Sequence, residues 1–165
     1  MALNWTLDFE DPRREYAIVP DAPAGAHAIA GVNSVEQPEA YAIIAALLQE
    51  QRALSVETFY RHQFWNKWLA QLTSDDLAKR VFDSAVNMGG RTAVGVLQGA
   101  VNSVNVDKIE VDKNWGPSTV CAANSSGPSI TSAFQGLRSS HYRAIVDAQP
   151  QDAKYLAGWL ARAMK

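Results

Sequence analysis

A double glycine between two runs of helical spacing constrains this chain more than any other feature. Apolar residues recur at three- and four-residue intervals from Val81 to Val86, and again from Ala93 to Leu97. Gly89 and Gly90 lie between the runs and can adopt the positive φ that a helix end and a sharp turn require. The pattern predicts two consecutive helices joined by a tight turn, which favours a mainly helical fold.

Three polar residues stand among these apolar positions, namely Asp83, Asn87 and Gln98. A buried polar side chain is costly unless it is hydrogen-bonded. We therefore expect these residues either to brace the helices against one another or to line a cleft, and the sequence alone leaves both interpretations open.

The composition is that of a globular protein. The chain has 165 residues, of which 47% are hydrophobic and 19% charged, and this length suits one domain with a substantial core. The formal net charge of −2 lacks the basic excess typical of nucleic-acid binders. Every apolar run is shorter than the roughly 20 residues of a membrane span. The sequence therefore predicts a single domain over residues 1–165, with no nucleic-acid partner and no membrane insertion.

The rest of the chain predicts further helices around one small β element. The spacing in the segment 2–10 fits either a helix or a strand, and turn-forming Pro and Gly residues favour a β-hairpin or a paired loop over residues 15–33. Further helices are expected from residue 38 to about Arg52, after the caps Ser55 and Ser74, and over residues 129–148 and 151–164. The single cysteine, Cys121, excludes an internal disulfide and is expected to be a small buried residue.

Four blocks of the sequence resemble one enzyme family. Val81 to Gln98 resembles the "FDxAVNxGxxxAxxxLQ" core of the phage-type N-acetylmuramidases, glycoside hydrolase family 108. Tyr60 to Trp65 resembles the family's "YRxxYW" helix, Trp115 to Val120 its "GPxTl" turn, and Gly158 to Arg162 its C-terminal "GWxxR". Four blocks in the family's order make the likeness specific.

The resemblance implies a fold class and a division of the chain. The expected fold is mainly α (α+β), a lysozyme-like helical domain whose small N-terminal β-hairpin forms one wall of a saccharide cleft. Residues 1–100 would form the catalytic part. Residues 101–165 would form a C-terminal helical part similar to the family's peptidoglycan-binding region.

The implied activity is hydrolysis of the β-1,4 bond between N-acetylmuramic acid and N-acetylglucosamine in peptidoglycan, with no cofactor and no metal. This chemistry needs a carboxylic acid that protonates the leaving oxygen and a second group that positions water or stabilises charge. Glu10 stands where the family's "EGG" motif has its catalytic glutamate, although Asp11 and Pro12 replace the two glycines. Glu15 is the alternative acid, and a third interpretation has no catalytic glutamate.

The second catalytic group is expected in the hairpin. The run from Asp21 to Asn33 resembles the family's "DPGGATxxGIT", with Asp21 on the aspartate and His27 near the threonine. We expect Asp21 to face Glu10 across the cleft, with His27 either orienting water or standing as an exposed strand residue. A carboxyl separation of about 6.5 Å or more predicts inversion at the anomeric carbon and one of about 5 Å predicts retention, and the sequence does not decide between them.

Four residues are candidate substrate-binding groups. The aromatic faces of Tyr60 and Trp115 could stack on sugar rings, and the amides of Asn87 and Gln98 could bind N-acetyl groups. Core packing for the aromatic residues and helix bracing for the amides are the alternatives.

The N-terminal residues carry acidic side chains and lack the basic-then-apolar plan of a signal peptide. We expect synthesis in the cytoplasm and action in the periplasm or cell wall, with a holin or a secretion machine for delivery, as for a phage or prophage endolysin. The expected partner is the peptidoglycan glycan strand. Because a fold can outlive its chemistry, a catalytically inactive peptidoglycan-binding module or a secretion-associated module is the alternative function.

Overall fold

A computed structural model describes residues 2–165 and divides the chain into two compact units, residues 3–66 and residues 67–165. Within the described residues the fold is mainly helical with one small antiparallel sheet, which confirms the predicted class. The predicted single domain with its division near residue 100 stays a prediction. The elements are α1 (Ala2–Glu10), β1 (Ile18–Asp21), β2 (Ala26–Ile29), β3 (Val32–Asn33), α2 (Pro38–Ala45), α3 (Arg52–Phe64), α4 (Asp75–Met88), α5 (Gly90–Val104), α6 (Pro117–Ser125), α7 (Ser129–Ala148) and α8 (Ala153–Met164).

The sheet of the first unit has the order β1-β2-β3 and is antiparallel throughout. β2 and β3 are joined by a two-residue turn at Ala30 and Gly31, whose φ values of 47° and 82° suit the tight hairpin between the paired residues Ile29 and Val32. Ile29 and Val32 are both fully buried. The predicted hairpin over residues 15–33 is confirmed, and β3 is an additional strand.

The boundary between α2 and α3 differs from the prediction. α2 ends at Ala45, and α3 begins at Arg52 rather than after Ser55. The reason is the buried guanidinium of Arg52, which donates hydrogen bonds to the carbonyls of Leu47 at 3.2 Å, Ala45 at 3.4 Å and Tyr16 at 2.9 Å. These bonds satisfy carbonyls that the end of α2 leaves without an intrahelical partner, so the chain can turn there without a glycine.

In the second unit, the predicted break between two helices is confirmed. α4 ends at Met88, its C-cap Gly89 has a φ of 85°, and α5 begins at Gly90. The predicted cap of α4 is also confirmed, because the Ser74 hydroxyl accepts a hydrogen bond from the Leu77 N–H at 3.2 Å. α7 packs against both α5 and α8. None of the helices in residues 2–165 is both long and apolar enough to cross a membrane.

The expectation that Cys121 is buried is wrong. Cys121 is exposed on α6, whereas its neighbours Val120 and Ala123 face the core. The family resemblance predicts a turn at Trp115 to Val120. Once residues 117–125 form a helix, the three-residue spacing of Val120 and Ala123 places them on the buried face and Cys121 beside it.

A buried charge cluster holds α4, α7 and α8 together. The carboxylate of Asp83 has no exposed surface and accepts hydrogen bonds at 2.7 Å from both Arg138 and Arg162. Arg138 also donates to the hydroxyl of Tyr142, which in turn donates to the side-chain carbonyl of Asn87. Burial raises the pKa of Tyr142, so the phenol keeps the proton that this chain of bonds uses. Asp83 is therefore a brace between helices.

We expect Asp83→Ala to lower the free energy of unfolding by about 3–5 kcal/mol, because it leaves the buried guanidinium of Arg138 and the partly buried one of Arg162 without their shared counter-ion. Thermal and denaturant unfolding followed by circular dichroism would measure the loss. The control is Glu57→Ala, which removes an exposed pair with Arg61 and should cost about 0.5 kcal/mol or less. Equal losses in the two variants would contradict the role of the cluster.

Candidate active site

The carboxylate of Glu10 lies over the turn between β2 and β3. Glu10 is the last residue of α1 and is half-buried. A Cβ atom placed on Gly31 would lie 2.8 Å from the Glu10 Oε2 atom and 2.5 Å from the Tyr60 hydroxyl oxygen. Both side chains therefore converge on the bare Cα of Gly31, and any other residue there would displace one of them.

The turn after Glu10 is built without the two glycines of the family motif. The carboxylate of Asp11 accepts hydrogen bonds from the backbone N–H groups of Glu15 at 3.2 Å and Tyr16 at 2.7 Å. Arg14 adds hydrogen bonds to the Asp11 carbonyl at 2.8 Å and to the Asp8 carboxylate at 2.7 Å. Positive φ values occur at Arg14 and Tyr16 instead, at 55° and 51°. Side-chain bonds thus stabilise a reversal that glycine would allow by itself.

Asp21 ends β1 with an exposed carboxylate that is fixed on two sides. It accepts hydrogen bonds at 2.8 Å from the side-chain amide of Asn33 and from the N–H of Ala22. Asp21 pairs with Ala26, and Asn33 pairs with Ala28, so both side chains belong to one face of the sheet. The alanines on β2 are small enough for Asp21 and Asn33 to meet across the middle strand.

Asn33 also connects the sheet to the start of α2. Its side-chain carbonyl accepts hydrogen bonds from the N–H groups of Val35 at 2.7 Å and Glu36 at 3.2 Å, and its own N–H donates to Gln37 at 2.8 Å. Asn33 is only 7% exposed. The sequence assigns no role to Asn33, and its position at the end of the run that resembles the family's hairpin motif is the available signal.

His27 does not share a face with Asp21. Side chains alternate along a strand, and His27 is adjacent to Ala26, the partner of Asp21. Its side chain is exposed, and its backbone N–H and carbonyl both bond to Ser34. The joint action of His27 and Asp21 on water stays a prediction, without support from this arrangement.

The alternative acid, Glu15, is in a different setting. Its side chain is 54% exposed and lies 3.7 Å from the guanidinium of Arg13. This is the solvated environment of an ordinary surface charge, whereas a general acid needs partial burial. Of the two glutamates, the geometry favours Glu10.

Tyr60 is buried, whereas its predicted role of stacking on a sugar ring requires an exposed ring face. It is 1% exposed, its ring packs edge-on against Phe59 at a centroid distance of 5.4 Å, and its hydroxyl donates to the Ala30 carbonyl at 2.8 Å. A buried ring has no free face for a sugar, so stacking by Tyr60 stays a prediction that this geometry does not support. The family-like "YRxxYW" block pointed to Tyr60, but the sequence gave no sign that its hydroxyl reaches the Ala30 turn.

The other predicted binding residues lie in the second unit. Gln98 is 1% exposed and uses its whole amide: the NH₂ group donates to Asp112, Thr119 and the Asn114 carbonyl, and the carbonyl accepts from the Lys113 N–H. The backbone N–H of Asn114 and the Gln98 amide hold the pKa of Asp112 below its usual value. These contacts indicate that Gln98 braces the structure internally and does not line a cleft.

Asn87 is half-buried, and its side-chain carbonyl accepts a hydrogen bond from the hydroxyl of Tyr142. This contact also favours a bracing role over substrate contact. Trp115 is half-exposed in the loop before α6. Substrate contact by Asn87, Gln98 and Trp115 stays a prediction. No group of three or more His, Cys, Asp or Glu side chains that could hold a metal ion occurs among residues 2–165.

The fold and the site suit one kind of chemistry. A half-buried carboxyl group at a helix end, next to a small antiparallel sheet in a mainly helical chain, is suited to glycoside hydrolysis by acid catalysis. Residues 24–89, less than half of the 165 residues, match the family described as Glycosyl hydrolase 108. The matched segment includes Gly31, Asn33 and Tyr60, whereas Glu10 and Asp21 precede it. Neither the curated proteins nor the solved structures give a match.

We expect Gly31→Ala to reduce glycosidase activity by about 100-fold, because a misplacement of a catalytic group by about 1 Å can have that effect. The new Cβ would collide with Glu10 and Tyr60. Activity is measured as reducing ends released from purified peptidoglycan.

Gly25→Ala is the matched control. Gly25 also has a positive φ, at 91°, but a Cβ there would meet no atom within 4 Å. Both variants should lose about 1–2 kcal/mol of stability from the strained backbone, and only Gly31→Ala should lose activity beyond that. Equal activity of the two folded variants would contradict the close approach at Gly31.

Proposed function

We propose that this protein cleaves the β-1,4 bond between N-acetylmuramic acid and N-acetylglucosamine in peptidoglycan, with Glu10 as the general acid. The observation that carries the proposal is the half-buried Glu10 carboxyl held against Gly31, in the unit that contains most of the family match. The protonated carboxyl donates its proton to the glycosidic oxygen as the bond to the anomeric carbon breaks. The bond electrons leave with that oxygen, and water supplies the new hydroxyl.

Asp21 is the second carboxyl group in this proposal. Its two hydrogen bonds, from Asn33 and from the Ala22 N–H, fix its orientation while the side chain stays exposed. It can therefore position the attacking water or stabilise positive charge on the sugar ring. Delivery to the cell wall by a holin or a secretion machine is part of the same proposal.

The two carboxyl groups belong to opposite ends of β2. Asp21 pairs with Ala26 at the start of the strand, whereas Glu10 lies at the turn that follows Ile29. At about 3.3 Å per residue, a strand of this length separates its ends by roughly 10 Å. This arrangement supports a wide carboxyl separation with room for a water molecule.

Glu10→Gln should abolish the release of reducing ends from purified peptidoglycan, by about 100-fold or more, because it removes the acid proton and keeps the shape of the side chain. The measurement is reducing-end release together with clearing of a peptidoglycan suspension. Thermal unfolding of the variant should match that of the wild type.

The control for this experiment is Glu15→Gln, which removes the exposed glutamate and should leave activity unchanged. If Glu15→Gln is inactive and Glu10→Gln is active, the acid is Glu15. A wild-type protein that sediments with peptidoglycan but releases no reducing ends would favour the inactive binding module and would overturn the proposal.

We expect hydrolysis with inversion of the anomeric configuration, because the separation across β2 leaves room for water and places Asp21 too far away to attack the sugar itself. The check is proton NMR of the first product from a soluble peptidoglycan fragment, recorded before mutarotation. Inversion predicts the α-anomer at the new reducing end. The β-anomer as first product would mean retention and a shorter carboxyl separation.

A further inference from the structure

The side chain of Asn33 is buried and joins the exposed carboxylate of Asp21 to the segment that leads into α2. We propose that Asn33 is a positioning residue, whose side-chain NH₂ group holds the Asp21 carboxylate in the orientation that glycoside hydrolysis requires. The inference rests on the proposed function, because it gives Asn33 a role that acts through the second carboxyl group of that site.

The amide of Asn33 uses all of its hydrogen-bonding capacity, and this fixes its orientation. The side-chain carbonyl accepts hydrogen bonds from the N–H groups of Val35 at 2.7 Å and Glu36 at 3.2 Å. The NH₂ group donates to the Asp21 Oδ2 atom at 2.8 Å and to the Ala22 carbonyl at 2.9 Å. In a reversed amide, donors would face donors at one end and acceptors would face acceptors at the other. The end that faces Asp21 is therefore the donor.

The two ends of this amide serve different parts of the structure. The carbonyl end stabilises the turn before α2, and the side-chain oxygen of an aspartate or a serine could accept the same bonds. The NH₂ end reaches only Asp21 and Ala22, at the end of β1, which lies on the far side of β2 from Asn33. The need for an amide at position 33 therefore comes from the segment that carries the candidate catalytic carboxylate.

Asp21 depends on Asn33 because its other hydrogen bond is local. The Asp21 Oδ1 atom accepts from the N–H of the next residue, Ala22, at 2.8 Å. The bond from Asn33 comes from twelve residues further along the chain and from a side chain that is itself fixed. One donor on each oxygen holds the plane of the carboxylate, while its exposed side stays open to water. A group held in this way is preorganised, and a misplacement of about 1 Å can lower a rate by about 100-fold.

The test is kcat of Asn33→Asp relative to the wild type over a range of pH, measured as reducing ends released from peptidoglycan. The new carboxyl group keeps an oxygen that accepts from Val35 and Glu36, but its second oxygen replaces the donor beside Asp21. Two charged carboxyl groups this close repel each other, whereas two that share one proton form a hydrogen bond in place of the amide. The ratio of variant to wild-type kcat should be close to one at the acidic end and fall about tenfold as the pH rises. KM should stay unchanged, because Asp21 acts on the transition state.

Asn33→Ser is the second variant, and it decides the question if Asn33→Asp does not fold. Its hydroxyl can still accept from the N–H groups before α2, but it is shorter than the amide and does not reach Asp21. We expect kcat to fall about tenfold at every pH, since serine has no proton that acid could restore to this contact. A wild-type kcat in Asn33→Ser, or a ratio independent of pH in Asn33→Asp, would overturn the inference.

Asn102→Asp is the matched control in the second unit. The Asn102 side chain also uses both ends of its amide, donating to the Ile109 carbonyl and accepting from the Ile109 N–H, both at 2.8 Å. The substitution should therefore lower stability as Asn33→Asp does, but the new carboxyl group faces a backbone carbonyl instead of a carboxylate. Its kcat per folded molecule should match the wild type at every pH. The same pH-dependent loss in both variants would mean that a weakened fold causes it, and would overturn the inference.

Glu10→Gln separates the two possible failures. Wild-type activity that is lost in Glu10→Gln, together with a pH-independent ratio for Asn33→Asp, would overturn the role of Asn33 and leave the proposed function standing. An inactive wild type, or an active Glu10→Gln, would overturn both.

Discussion

The absence of a side chain at Gly31 is the constraint on which the candidate site depends. The turn at Ala30 and Gly31 needs two consecutive residues with positive φ, and that alone favours glycine at one of them. The convergence of Glu10 and Tyr60 on the same Cα adds a second and stricter requirement. Gly25 also has a positive φ, but no atom lies close enough to exclude a side chain there. Gly25 is therefore explained by its backbone conformation alone, whereas Gly31 is explained by its backbone conformation and by its close neighbours.

The region after Glu10 shows how a chain reversal can be built without glycine. Two glycines of the family motif are replaced by Asp11 and Pro12, and the reversal moves to Arg14 and Tyr16. The strain of positive φ in residues with side chains is offset by the hydrogen bonds that Asp11 and Arg14 provide. Side-chain hydrogen bonds can therefore stabilise this reversal without the glycines.

The sequence predicted the elements better than the contacts between them. Helical spacing and the Ser74 cap are local signals, and both were confirmed. The end of α2 depends on the buried guanidinium of Arg52, and the fixed position of Asp21 depends on Asn33 across a strand. Such contacts join residues that are distant in the chain. The hydrogen bond of the Tyr60 hydroxyl could not be predicted from the sequence for the same reason, since its acceptor is thirty residues away in the chain.

An acid and a carbohydrate-binding carboxylate require opposite surroundings, and this difference bears on the choice between an enzyme and a binding module. A carboxylate that only binds sugar hydroxyls is best served by neighbouring donors, which stabilise its charge. A general acid needs a partly buried setting, because its proton must be present when the substrate arrives. Asp21 is exposed and accepts hydrogen bonds from two donors, whereas Glu10 is half-buried at the end of α1. The two carboxyl groups therefore differ in the way that the proposed enzyme requires of its acid and its charged partner.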